Sequence, residues 1–196
     1  MSAVGSAIVA AFYLRFAWAH FSLATTSGSW TLPPLVVLET LLVLLFLTRR
    51  RGIATSGRLD DWAAGLVGWL LPLLMRPTEA QAGLAMVGVP LQVLGLALAV
   101  AGAASLGRSI GIVAADRGVQ TSGLYRVVRH PMYAAYLVSY VGYAATYPSQ
   151  YNLLIATTTL VTILLRAAAE ERFLARDPAY RAYLSSVRWR FVPAVY

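Results

Sequence analysis

The stretch Gly123-Leu124-Tyr125-Arg126-Val127-Val128-Arg129-His130-Pro131-Met132-Tyr133 gathers three basic side chains, two tyrosines and a proline at the edge of an apolar run. Spanning a membrane requires none of these. A residue before proline is pushed out of the α region, and proline suits the first helical position, so the spacing predicts that one short helix ends before His130 and another starts at Pro131. Free backbone N–H groups of the new helix would then stand beside an imidazole and a guanidinium, a corner suited to an anion such as the carboxylate of a small polar cofactor. A second cluster lies in Arg166-Ala167-Ala168-Ala169-Glu170-Glu171-Arg172-Phe173-Leu174, where Arg166 and Glu170 are four apart and share a helix face. The three alanines leave that face open to a partner.

The elements that must position these residues are read from composition. The 196 residues are 59% hydrophobic and 12% charged, with mean hydropathy +0.65, which marks an integral membrane protein. Apolar runs cover Ala3 to Ala24, Thr31 to Thr48, Trp62 to Met75, Ala82 to Leu106, Pro131 to Tyr147 and Tyr151 to Leu165. About twenty apolar residues cross a bilayer, so the first, second and fourth are comfortable spans and the third reaches if its flanks contribute. The first contains Arg15 and His20 and lacks a basic leader, so it reads as a span and not as a cleaved signal. The last two are short and read as a tight, shallow or leaning hairpin. The expected fold is an all-α polytopic bundle of five to six membrane segments, with residues 1–106 forming N-terminal transmembrane helices and 107–196 a catalytic region.

Fourteen of the sixteen arginines fall between segments two and three, between four and five, or after six. By the positive-inside rule, both termini and the basic corner face the cytoplasm. These charges line a membrane border with no soluble domain to form a groove, so nucleic acid is a poor partner and the lipid bilayer a good one. With no cysteine, disulfides and thiolate metal sites are excluded, and no metal site is expected.

Charges at membrane depth are expensive and are expected to pair. Arg15 and Glu39 would lie at similar depth in antiparallel neighbours, which predicts an ion pair locking the first hairpin. Gly88, Gly95 and Gly102 recur every seven residues and predict one face of close helix contact. The connection Gly107 to Ser122 is the longest non-apolar one and leads into the Tyr125 to Tyr133 corner, so it is expected to carry function, with Thr121 or Ser122 capping the short helix. Asp177-Pro178 predicts the start of a further short cytoplasmic helix whose stripe is Tyr180, Tyr183, Leu184 and Val187.

The ordered pattern T-S-G-x-Y-x-x-x-R-H-P-x-Y, a hairpin, R-x-x-x-E-E-x-x-L and Y-x-x-Y-x-x-x-V before a near-terminal proline resembles the isoprenylcysteine carboxyl methyltransferase family and its bacterial and archaeal relatives, over Arg117 to Pro193. Phospholipid N-methyltransferases share a looser form. The resemblance implies S-adenosyl-L-methionine as cofactor, bound on the cytoplasmic side, and a lipophilic small-molecule or prenylated acceptor reached from the bilayer. It implies that Arg117, Gly118, Val119, Gln120, Tyr125, His130, Pro131, Met132, Tyr133 and Glu170 bind the cofactor, and that Arg166 faces the acceptor. Two departures stand out: Ala134-Ala135 where the family commonly has glycine at the second position, and Arg117-Gly118 in place of a polar pair.

Direct in-line methyl transfer is the expected reaction, with positioning supplying most of the catalysis. A carboxylate or thiolate acceptor needs orientation, by Arg166, and no base. An amine or neutral thiol needs deprotonation, for which Glu171 or a tyrosine is available. The acceptor atom and the oligomeric state stay open at this stage, and the alternatives are a phospholipid N-methyltransferase, a nicotinamide-dependent reductase of similar fold and a catalytically silent membrane adaptor.

Overall fold

The computed structural model describes residues 3–48, 54–106, 115–116 and 118–195. Its seven α-helices are α1 Ala3–Ser27, α2 Pro33–Thr48, α3 Leu59–Leu70, α4 Ala82–Leu106, α5 Pro131–Thr146, α6 Gln150–Leu174 and α7 Pro178–Ser186. A two-residue antiparallel ladder joins β1 Ala54–Thr55 to β2 Ala115–Asp116, and 3-10 turns occupy Leu71–Leu74 and Gly123–Arg126. The fold is an all-helical membrane bundle. Three of its helices, α1, α4 and α6, are long and apolar enough to cross a bilayer.

Local sequence sets the element ends. Pro72 has no N–H to continue the α ladder, so α3 tightens into a 3-10 turn and the apolar run from Trp62 to Met75 divides there. The second arm of the C-terminal hairpin is longer than its apolar run suggested. Nothing between Arg166 and Leu174 breaks a helix, and alanine, arginine and glutamate all favour one, so α6 runs unbroken to Leu174. At 25 residues it is about 37 Å long and overreaches a hydrocarbon core of about 30 Å, so a membrane helix itself carries Arg166 and Glu170 at its end. Ser149 caps the helix start by accepting from the Asn152 N–H at 3.0 Å.

Helix α4 packs most extensively on α5 through the predicted glycine face. A Cβ on Gly95 would lie 2.7 Å from the Ser139 nitrogen and 2.8 Å from the Ala135 carbonyl oxygen; one on Gly88 would lie 2.6 Å from the Gly142 carbonyl oxygen. The two backbones approach too closely for any side chain there. Gly95→Ala is therefore expected to lower stability by about 1–3 kcal/mol through overpacking. Gly83→Ala, whose Cβ would meet nothing within 4 Å, should leave the thermal midpoint in detergent unchanged.

The first hairpin is locked differently from the expectation. Arg15 is exposed, and Glu39, buried at 4% exposure, takes His20 as its partner, with Nδ1 3.0 Å from both carboxylate oxygens. Counted from the α1–α2 turn, His20 matches Glu39 in depth, whereas Arg15 lies about 7.5 Å farther along the axis and faces outward. Near the α1–α2 turn, Asn152 clamps the backbone of Arg76, accepting from its N–H at 3.0 Å and donating to its carbonyl at 2.8 Å. At the arginine-rich end, buried Asp61 accepts from Arg172 and from Ser56, tying the start of α3 to the end of α6.

Candidate active site

The residues around His130 fold as their sequence dictates. The 3-10 turn Gly123–Arg126 ends, His130 adopts a non-helical conformation with φ −129° and ψ 60°, and Pro131 opens α5. Ser122 stands at the N-cap position of the turn but its side chain makes no capping bond, and Thr121 precedes it; the expected cap is absent. Tyr183 instead secures this segment by donating to the Tyr125 carbonyl at 2.8 Å.

The basic corner does hold an anion, and it is the chain's own Glu171. Arg190 donates to Glu171 Oε2 through Nη2 at 2.8 Å and Nε at 3.1 Å, Arg129 Nη1 reaches Oε1 at 3.3 Å, and His130 Nε2 lies 3.2 Å from Oε1. The same cluster binds the C-terminal strap, since Arg129 N donates to the Trp189 carbonyl at 2.8 Å and His130 N to that of Arg190 at 2.9 Å. Arg129 also donates to the carbonyls of Val187 at 2.7 Å and Leu184 at 3.1 Å, capping the end of α7.

Glu170, one residue earlier, points elsewhere. Its Oε2 accepts from the Tyr133 hydroxyl at 2.8 Å. The Tyr133 ring stacks on His130, centroids 5.3 Å apart and planes 10° apart, and the Arg166 guanidinium carbon lies 5.1 Å from the Tyr133 centroid. Gly68 of α3 makes room for Arg166, because a Cβ there would come within 2.9 Å of Arg166 Cδ.

These side chains line a single cleft of about 1200 Å³, counting the space open at its mouth. Gly118, Val119, Gln120, Tyr125, His130, Met132, Tyr133, Arg166 and Glu170 all line it. Pro131 is buried at the start of α5 and does not line the cleft, nor does Glu171; Arg117 lies outside the described residues. Burial, reinforced by the charge of Glu170, raises the Tyr125 phenol well above its ordinary pKa, and burial pushes that of Tyr183 up to about 12. Both phenols stay protonated at neutral pH and serve as hydroxyls, not as bases.

The cleft has two halves. Gln120, Tyr125, Glu170, Asp177 and Tyr180 make one end polar, while Tyr13, Phe46, Trp69, Tyr136 and Tyr140 make the other aromatic, with Arg166 and Tyr133 also lining it. Sequence reading did not foresee the aromatic half. Part of it was visible as a stripe, since Tyr133, Tyr136 and Tyr140 recur at helical spacing on α5. The contributions of α1, α2 and α3 carried no such signal. Of the two family departures, Ala135 is fully buried beneath Gly95 and belongs to the α4–α5 seam.

A family model described as phospholipid methyltransferase matches residues 84–180, which include nearly all of α4, the whole of α5 and α6, and most of the polar half of the cleft. The match covers just under half of the chain and supports the resemblance to integral membrane methyltransferases. No curated protein matches the chain at significant similarity. The aromatic wall formed by Tyr13, Phe46 and Trp69 lies outside the matched residues, so most of the polar half falls within the matched sequence and the facing wall is supplied by the first three helices.

Proposed function

We propose that this membrane methyltransferase uses S-adenosyl-L-methionine and methylates an anionic, lipophilic acceptor that enters from the bilayer. The observation that carries the reading is the single cleft whose polar half holds the Glu170 carboxylate and whose aromatic half faces the helices, with Arg166 lining it beside Tyr133. The polar half fits the cofactor's chemistry: Glu170 offers a carboxylate to a cationic group, Gln120 an amide, and Tyr180 and Tyr183 aromatic surface. Once bound, the cofactor would supply an electrophilic methyl on a sulfonium, whose sulfur would keep the bonding electron pair when the methyl passes to the acceptor's lone pair.

The chain's own residues position and compensate charge. Tyr133 holds Glu170 in place, and Arg166 offers a fixed cation to an oxyanion or thiolate. An acceptor that arrives ionised needs no base, in keeping with protonated Tyr125 and Tyr183 and with Glu171 engaged by Arg129, Arg190 and His130. The phospholipid description of the matched family supports a second reading, an amine acceptor. A protonated amine beside Arg166 would meet like charge, which favours the anionic acceptor. The arginine-rich end, where the polar half opens, is assigned to the cytoplasm by the positive-inside rule.

Calorimetric titration of the purified protein with S-adenosylhomocysteine, against NADPH as control, tests the cofactor. Saturable binding of the first alone is expected, and Glu170→Ala should weaken it about 10- to 100-fold by removing a charged partner. Binding of NADPH alone would turn the reading to a reductase, and binding of neither by folded protein to a silent adaptor.

A further inference from the structure

We propose that the buried His20–Glu39 pair is a positioning device for the acceptor half of the cleft: it fixes the rotation and register of the α1–α2 hairpin and so turns Tyr13, Leu42 and Phe46 inward to line it. The proposal rests on reading the aromatic half as the acceptor's, and it adds two residues outside the cleft that govern acceptor affinity and not cofactor affinity. His20 and Glu39 do not line the cleft and lie outside the residues matched to the family model. His20 Nδ1 is 3.0 Å from both Glu39 oxygens, with 12% and 5% of the two side chains exposed, so an imidazole and a carboxyl group are held away from water in the α1–α2 seam. Such groups are expensive at membrane depth, and apolar side chains in place of a buried pair are often as stable or more so. Stability therefore does not account for the pair. Selection of one arrangement over others does, as for polar residues that set register in coiled coils.

Hydrophobicity does not make that selection here. Helix α1 buries Val9 and Tyr13 but turns Ile8, Phe12 and Leu14 outward, and α2 buries Leu38 and Phe46 but turns Leu44 and Leu47 outward. Both faces of each helix are apolar and lipid accepts either, so apolar contact barely distinguishes one rotation from another. The register follows from the pair. Tyr13 lies seven residues before His20 and Phe46 seven after Glu39. In antiparallel helices both steps run the same way, about 10 Å from the pair, and seven residues return to nearly the same face. Tyr13 and Phe46 accordingly meet, their rings stacked at 6.2 Å and 17°, and both line the cleft together with Leu42, one turn from Glu39. Turning either helix by one residue, about 100°, would part His20 from Glu39 and carry Tyr13 or Phe46 out of the cleft in the same movement.

The test uses the full chain in lipid nanodiscs, with empty nanodiscs as baseline, palmitate as the anionic lipophilic probe and S-adenosylhomocysteine as the cofactor probe. In the double variant His20→Leu/Glu39→Leu the thermal midpoint should hold or rise, S-adenosylhomocysteine affinity should stay within about 2-fold, and palmitate affinity should fall about 10-fold. The swap His20→Glu/Glu39→His rebuilds the pair and should recover palmitate binding. Because the chain has no cysteine, spin labels attached through Leu14→Cys and Leu47→Cys, both at outward-facing positions, read the hairpin directly. One narrow interspin distance is expected with the pair present and a broadened distribution in the double variant. Should the double variant fail to fold, His20→Leu alone set against the swap carries the same comparison. Unchanged palmitate affinity in a folded variant without the pair overturns the proposal, and so does an unbroadened distance. Parallel loss of palmitate and S-adenosylhomocysteine binding also overturns it, by marking the pair as support for the whole bundle. Failure of the wild-type protein to bind palmitate instead overturns the anionic-acceptor reading, and failure to bind S-adenosylhomocysteine the methyltransferase reading; the role of the pair falls with either.

Discussion

Glu171→Ala is expected to destabilise the protein by about 3 kcal/mol, lowering its thermal midpoint and loosening the C-terminal strap. The carboxylate, 7% exposed, accepts from Arg129 and Arg190 and lies beside His130, and removing it leaves two guanidiniums close together without the anion between them. The value sits at the low end for a broken buried pair because the Arg190 side chain keeps 31% exposure and can turn to water. Loss of the cluster also frees the backbone pairing of Arg129 and His130 with Trp189 and Arg190, so protease cleavage near residue 190 should accelerate. Glu171→Gln, which keeps one acceptor oxygen, should lie between the two. A different result would change the role assigned to this residue: normal stability with abolished turnover in Glu171→Gln would mark it as a general base and not as a structural carboxylate.

Arg166→Ala is expected to lower kcat about 100- to 1000-fold while S-adenosylhomocysteine affinity stays within a few-fold of wild type. The guanidinium lines the cleft over the Tyr133 ring, 5.1 Å away, and the structure clears space for it with Gly68. A fixed charge placed where an anionic acceptor must be oriented is worth most in a water-poor site, and deleting one such donor typically costs this much. Arg166→Lys should recover only part of the loss, since a compact ammonium cannot lie flat over Tyr133 as a planar guanidinium does. Single-turnover kinetics with a saturating acceptor separates orientation from binding. If Arg166→Ala weakened cofactor binding as strongly as turnover, the arginine would belong to the cofactor half and the acceptor would lose its proposed partner.

The pair Glu170 and Glu171 shows where sequence reading stops. Adjacent residues on an α-helix point about 100° apart, so one carboxylate can enter the cleft and the other the cationic cluster. Spacing alone linked Arg166 to Glu170, and it offered Glu171 as a free base only because the partners of Glu171 come from residues 129, 130 and 190, far away in the chain. Arg15 failed for a related reason. Depth follows from counting residues only once the helix ends are set, and α1 running on to Ser27 puts His20 and not Arg15 level with Glu39; the direction a side chain faces depends on the neighbour, and His20 faces α2 where Arg15 does not.

By itself the sequence determined the membrane class, the approximate position of the long helices, the break at His130-Pro131 and the close α4–α5 contact, and it singled out Gln120, Tyr125 and Glu170, which the structure brings to one cleft. These are local properties: hydropathy over a span, proline's missing N–H, glycine's missing side chain and the order of motifs along one stretch of chain. Tertiary structure alone decided that α1, α2 and α3 bring Tyr13, Phe46 and Trp69 across from Tyr136 and Tyr140, and that Glu171 and not a ligand fills the basic corner. Both outcomes depend on contacts between segments widely separated in sequence, whose relative rotation is set by packing, and no periodicity within one segment encodes that rotation.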